Sequence, residues 1–130
     1  MSETNLHHRI ALSLIKGIGP KLARNLIAYL GSESVIFEEK LPKLAKVPGI
    51  GPALEQLLRN TDRPTLLRQA EKECEFIQKH KITPVFFSET RYPRRLSFCE
   101  DAPLMVYIHG QNCYDAAKAI AIVGTRTPTD

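Results

Sequence analysis

The sequence has no apolar run approaching the roughly 20 residues that span a bilayer. Its start, Met1-Ser2-Glu3-Thr4-Asn5, is not a basic stretch ahead of an apolar core, so neither a membrane segment nor a signal peptide is expected. Cysteine is scarce. Cys74, Cys99 and Cys113 are an odd number at wide spacing, which fits reduced thiols in the cytoplasm better than a disulfide framework or a zinc site. No Gly-x-Gly-x-x-Gly follows an apolar strand, no paired carboxylates share a motif, and no Ser/His/Asp order stands out. Catalysis, a metal and a cofactor are therefore not expected. Glu100 and Asp101 are adjacent and point apart, as in a solvated turn, and His7 and His8 read as exposed or packing residues rather than ligands. What remains is a chain with 43% apolar residues, ordinary for a globular protein and too high for disorder.

Charge is unevenly placed. The net charge is +4. Residues 1–70 hold ten Lys/Arg against six Asp/Glu, and residues 71–130 hold eight of each. The whole positive excess therefore lies in the first half, where it suits a polyanionic partner.

That half also carries a repeat. Lys16-Gly17-Ile18-Gly19-Pro20-Lys21-Leu22-Ala23 returns 32 residues later as Pro48-Gly49-Ile50-Gly51-Pro52-Ala53-Leu54-Glu55. Each copy sits between apolar runs at helical spacing and predicts a helix, a tight turn and a second helix. Gly17 and Gly49 end the first helix at positive φ, where a side chain is penalised. Ile18 and Ile50 pin the turn to the core. Gly19 and Gly51 leave the backbone open to close approach, and Pro20 and Pro52 suit the first position of the next helix. The N–H groups that open that helix, with the positive end of its dipole, make a phosphate site that reads no base sequence.

Taken in order, residues 4–16 predict a helix capped by Thr4 or Asn5, with Leu6, Ile10 and Leu14 inward. A second helix covers 20–30, with Gly31 as its stop. Ser32 or Ser34 starts a short helix through Val35, Ile36 and Phe37. Pro42 starts another through Leu44, Ala45 and Val47, and a fifth helix covers 52–60. None is long enough to stand alone in water, so they share one core. After the polar break Asn60-Thr61-Asp62-Arg63-Pro64, residues 65–80 form a longer helix. Beyond it the chain changes to strands: 83–87, 104–110 and the almost wholly apolar Ala119-Ile120-Ala121-Ile122-Val123, which reads as a strand buried on both faces. Arg91-Tyr92-Pro93-Arg94-Arg95-Leu96 reads as a turn and one basic helical turn. The third strand runs into Gly124-Thr125-Arg126, where backbone N–H groups, a hydroxyl and a guanidinium can hold a phosphate. A sheet start of this kind cannot cover its own faces, so the chain is expected to be the N-terminal part of a longer protein.

The repeat resembles a tandem helix-hairpin-helix of the SAM-like kind. The ordered series Tyr92-Pro93-x-x-Leu96, Asp101-x-Pro103-Leu104, Tyr107-x-x-Gly110 and Ile120-Ala121-Ile122-Val123-Gly124-Thr125-Arg126 resembles the opening of the DprA/Smf family of DNA-processing proteins. The resemblance covers about residues 5–130. It implies an all-helical tandem hairpin domain over 1–63, a connecting helix over 64–82, and over 83–130 the first strands of a truncated Rossmann-like α/β domain that binds DNA rather than a dinucleotide. It further implies binding of incoming single-stranded DNA in natural transformation, dimerisation in the full-length protein, and loading of RecA through parts beyond residue 130. Gly124, Thr125 and Arg126 match the family's Gly-Ser/Thr-Arg phosphate loop, with Thr in place of the commoner Ser.

Candidate DNA contacts in the hairpins are Lys16, Gly17, Ile18, Gly19, Lys21 and Arg24, with Gly49, Ile50 and Gly51 in the second copy, and the hairpins could grip duplex as well as single strands. Ala53 and Glu55 stand where the first copy has Lys21 and Ala23, so the second copy is the less basic. Were binding insensitive to salt, stacking on Tyr92 and Tyr107 would take the place of phosphate contacts. The alternative is a helical interaction or architectural module with no direct DNA contact. A nucleotide-cleaving Rossmann-like enzyme would need a later Gly-rich loop with a catalytic Glu that this sequence does not contain, and the strands after residue 83 argue against a repair nuclease or Holliday-junction protein.

Overall fold

The structure is a computed structural model that describes residues 3–38, 44, 46–111 and 114–130. Among these residues four α-helices come first: α1 (Glu3–Ser13), α2 (Pro20–Leu30), α3 (Pro52–Arg59) and α4 (Arg63–Lys79). Two strands follow, β1 (Thr83–Phe86) and β2 (Met105–Ile108). Short 3-10 helices cover Glu33–Phe37 and Leu96–Phe98.

Local chemistry accounts for the helix ends. Pro20 and Pro52 open α2 and α3, where a missing N–H costs nothing. Gly31 closes α2 in the left-handed region at φ 79°, its N–H donating to the Ile27 carbonyl. Asp62 caps α4, accepting from the Thr65 N–H at 3.2 Å and the Thr65 hydroxyl at 2.7 Å. Ser32 is the residue that caps the first 3-10 helix, accepting from the Ser34 N–H at 3.3 Å. α1 stops three residues short of the expected end. The Ser13 hydroxyl donates to the Ile10 carbonyl, and the N–H groups of Leu14 and Ile15 reach back only three residues, to Ala11 and Leu12. The last turn is thus tightened as it enters the Gly17 bend.

The repeat is visible in the core. Leu12 and Leu44, Ile15 and Val47, Ile18 and Ile50, Leu26 and Leu58 are four pairs 32 residues apart, and all eight side chains are buried. The same core takes in Ala70, Cys74 and Ile77 of α4, which lies along α1, and continues into Phe86, Leu104 and Met105. The ion pair Arg9–Glu33, at 2.6 Å, reinforces the join from α1 to the first 3-10 helix, and the Arg9 guanidinium lies 4.2 Å from the Phe86 ring centroid. Helices and strands therefore share one apolar interior.

β1 and β2 pair antiparallel in the register Thr83↔Ile108, Pro84↔Tyr107, Val85↔Val106, Phe86↔Met105. The expected third strand is not formed. Residues 119–123 lie outside any sheet, with Ile120, Ile122 and Val123 more than 90% exposed, at 93%, 95% and 93%. The physical reason is pairing. An apolar run becomes a strand only against a neighbour's N–H and C=O groups, and among the described residues nothing pairs with 119–123 at the open edges of β1 and β2. The expected short helix from Pro42 falls largely outside the described residues; Leu44 and Val47 are buried, but neither they nor Lys46 lie in a helix. Cys74 is buried and Cys99 exposed, while Cys113 lies outside the described residues. Among the described residues no helix is long and apolar enough to cross a membrane.

Candidate functional site

The two Gly-Ile-Gly-Pro turns are near-copies in geometry. Gly17 and Gly49 have φ of 87° and 86°. Gly19 and Gly51 are extended, at φ/ψ of −80°/172° and −93°/175°. Ile18 donates to the Ile15 carbonyl and Ile50 to the Val47 carbonyl, at 3.3 and 3.1 Å. The first bonds of the following helices, Ala23 to Gly19 and Glu55 to Gly51, are both 3.0 Å. The N–H groups of Lys21 and Leu22, and of Ala53 and Leu54, therefore precede the helical ladder. Neither helix has a side-chain cap on these donors. A Cβ built on Gly19 or Gly51 would meet nothing within 4 Å, so the backbone there is open to an approaching group.

Each turn packs on the second helix of the other hairpin. A Cβ on Gly17 would stand 3.3 Å from Leu57 Cδ1, and one on Gly49 would stand 3.2 Å from Leu22 Cδ1. The Asn25 side-chain amide donates to the Pro48 carbonyl at 3.2 Å. Lys16 and Ala53, from the two copies, line one cleft of about 600 Å³ together with Leu57 and Thr65. The expected hairpin residues are thus brought together, with Ile18 and Ile50 buried as anchors and the glycines on the outside.

The three cations of the first hairpin differ. Lys16 is exposed and has no partner among the described residues. Lys21 stands 3.5 Å from a Glu100 carboxylate oxygen, both side chains being largely in solvent, at 70% and 87% exposure. Such a pair is weak and easily exchanged. Arg24 points the other way. Its Nη1 donates to the Ala102 carbonyl at 2.7 Å, and its Nη2 donates to the Glu100 carbonyl. It acts as a strut between the first hairpin and the loop before β2. This long-range role has no signal in the sequence. Lys46, exposed two residues before Pro48, is a cation that the motif reading passed over. In the second hairpin Arg59 is held by Glu55 at 2.8 Å.

Gly124, Thr125 and Arg126 are exposed. The Thr125 hydroxyl accepts from the Thr127 N–H at 3.3 Å, and the Arg126 guanidinium has no partner among the described residues. Tyr92 is not a stacking surface. It is 4% exposed and its hydroxyl donates to the Pro103 carbonyl at 2.6 Å. Burial pushes its phenol above the ordinary value, with Arg24 pulling the other way. Tyr107 is half exposed. Glu100 and Asp101 are exposed in a turn, as expected.

Residues 10–61 match the family model of the SAM-like helix-hairpin-helix tandem, and residues 83–130 match that of DNA recombination-mediator protein A. A stretch of 50 residues is 40% identical to UvrABC system protein C of Yersinia pseudotuberculosis serotype I (strain IP32953), of Yersinia pestis and of Serratia proteamaculans (strain 568). That stretch is 38% of this chain and 8% of each of those relatives. No solved structure matches. The two family matches, in this order along one chain, support a DprA-type protein: a helix-hairpin-helix tandem ahead of the opening of a DNA recombination-mediator domain.

Proposed function

We propose that this chain binds DNA by its backbone in recombination, with phosphates held at the N-terminal ends of α2 and α3. The observation that carries the reading is the duplicated turn: two helix starts with matching backbone, no side-chain cap and open space over Gly19 and Gly51. Lys16, and Lys21 once it leaves Glu100, supply the charge. The family match supports placing this activity in DNA processing and recombination. In this reading residues 1–63 are the hairpin domain, 64–82 the connecting helix, and 83–130 the opening of a Rossmann-like domain in which Gly124, Thr125 and Arg126 hold a further phosphate. The DNA is incoming single-stranded DNA in natural transformation. The full-length protein dimerises and assists the loading of RecA onto that DNA through parts beyond residue 130. No catalytic step is assigned.

The test is oligonucleotide binding by Lys16→Ala and Arg126→Ala variants of the full-length protein. Lys16→Ala is expected to weaken binding alike for all sequences and to flatten the salt dependence by about 0.7 in log–log slope, one phosphate contact on a single strand. Arg126→Ala is expected to cost roughly 1–3 kcal/mol, the range of a charged hydrogen bond. Unchanged affinity in both variants refutes the reading.

Two observations favour an architectural role instead. Arg24 is engaged with the carbonyls of Glu100 and Ala102, and the core runs from the hairpins into the strands. A hairpin domain that only orients the second domain would leave DNA affinity untouched by Lys16→Ala and still affected by Arg126→Ala.

A further inference from the structure

The stretch Arg91–Phe98 carries three arginines and no acid, and the hairpin account leaves it unused. It is rigidly held. Tyr92 is buried beneath it, with its hydroxyl on Pro103. Ser97 donates through its N–H to the Pro93 carbonyl at 3.1 Å and through its hydroxyl to the Arg94 carbonyl at 2.6 Å. Phe98 and Cys99 continue the turn, donating to the carbonyls of Arg95 and Leu96. The segment after residue 113 is stapled to the same turn three times. Tyr114 donates to the Arg91 carbonyl at 2.5 Å, Asp115 accepts from the Arg94 N–H at 3.0 Å, and Arg95 donates to the Ala117 carbonyl at 3.1 Å.

Between these pieces runs a groove of about 390 Å³, walled by Arg94, Arg95, Phe98, Asp115 and Ala117. Phe98 is 80% exposed although the backbone beneath it is fixed. Arg94, four residues before it, lines the same groove, and its guanidinium has no partner among the described residues. Arg91, by contrast, is engaged by Glu89 at 2.8 Å. Asp115 is the acid among the lining residues, and one of its oxygens is already used by the Arg94 N–H.

We infer that this groove is a subsite for single-stranded nucleic acid, in which one unpaired base stacks on Phe98 and its phosphate meets the Arg94 guanidinium. An exposed ring on a fixed backbone offers its face to a base of any identity, and an adjacent unpaired guanidinium supplies the matching charge for the backbone. A duplex hides its base faces, so the ring selects single strands. The inference rests on the reading of this protein as a DNA binder, but it uses residues outside both the hairpins and the Gly124 loop.

The experiment is fluorescence anisotropy of the full-length protein with a labelled oligo-dT and with a labelled duplex, over a salt series. Phe98→Ala is expected to weaken oligo-dT binding about five- to hundredfold, the range for loss of one stacked base, with the salt slope unchanged and duplex binding unaffected. Phe98→Trp is expected to restore it. Arg94→Ala is expected to weaken binding and reduce the slope by about 0.7. Both side chains stand in solvent, so a urea midpoint equal to wild type confirms folding. Three results would overturn the inference: wild-type oligo-dT affinity in Phe98→Ala, an equal loss for duplex, or polyglutamate competing as well as oligo-dT. Failure here with Lys16→Ala still impaired leaves the hairpin reading standing. The reverse pattern removes the hairpins and keeps the groove.

Discussion

The two glycines of each turn are expected to fail in different ways when replaced by alanine. Gly17 sits at φ 87°, and a Cβ there meets Leu57 Cδ1 at 3.3 Å. The left-handed backbone costs a side-chain-bearing residue about 1–2 kcal/mol. Leu57 is exposed enough to yield a few tenths of an ångström, so the contact adds little. Gly49 stands in the same position against Leu22. With a denaturant slope of about 1.5 kcal/mol/M in urea, Gly17→Ala and Gly49→Ala should each lower the midpoint by roughly 0.7–1.3 M. Gly19 and Gly51 are different, because their φ values of −80° and −93° suit any residue and nothing crowds them. Alanine there restricts the unfolded chain, worth about 0.4–1 kcal/mol. It also makes a poorer N-cap, by roughly the same amount. The midpoint should move by less than about 0.5 M. The methyl group would nevertheless stand where a phosphate approaches, and losing one backbone hydrogen bond of about 1 kcal/mol weakens DNA binding about fivefold. Urea titration and anisotropy on the same four variants read both effects. Equal midpoints for Gly17→Ala and Gly19→Ala would refute the backbone argument. Wild-type affinity in both Gly19→Ala and Gly51→Ala would refute the grip.

Other perturbations probe the joins. Arg24→Ala should cost about 1.5–3 kcal/mol in urea unfolding, since it leaves the carbonyl of buried Ala102 without its charged donor; a loss below about 0.5 kcal/mol would contradict the strut. At Glu89, burial pushes the carboxyl up, but hydrogen bonds from the Arg91 guanidinium and the Phe86 N–H outweigh it and hold the group below the usual range. A lowered folded-state value means its stabilisation is present above about pH 4.3 and is lost as pH falls through the lower folded value. The midpoint gap between wild type and Glu89→Gln should therefore close on acidification from pH 6 to 3, and a constant gap would count against the assignment.

The hairpins were legible because their determinants are local and repeated. Glycine at 17 and 49, proline at 20 and 52, and buried apolar positions 32 residues apart specify the turn without reference to the rest of the chain. The strand expected at 119–123 shows the limit. Apolar composition says that Ile120, Ile122 and Val123 suit burial, but not which neighbour provides a ladder, and among the described residues none does. The roles of the cations were hidden for a related reason. Lys16 and Arg24 look alike in a charge count, yet one ends in solvent and the other on carbonyls 76 and 78 residues away. Tyr92 likewise reads as a stacking ring in sequence, and only its bond to Pro103 turns it inward and leaves Phe98 as the exposed aromatic of that turn.

The most direct test is anisotropy of this 130-residue chain with labelled single-stranded and duplex oligonucleotides across a salt series. The account predicts binding that weakens steeply with salt, with a log–log slope of about −0.7 per phosphate contact on single strands, and a preference for single strands over duplex. Absence of binding to either oligonucleotide at low salt would contradict it, leaving residues 1–80 as a scaffold for contacts made elsewhere.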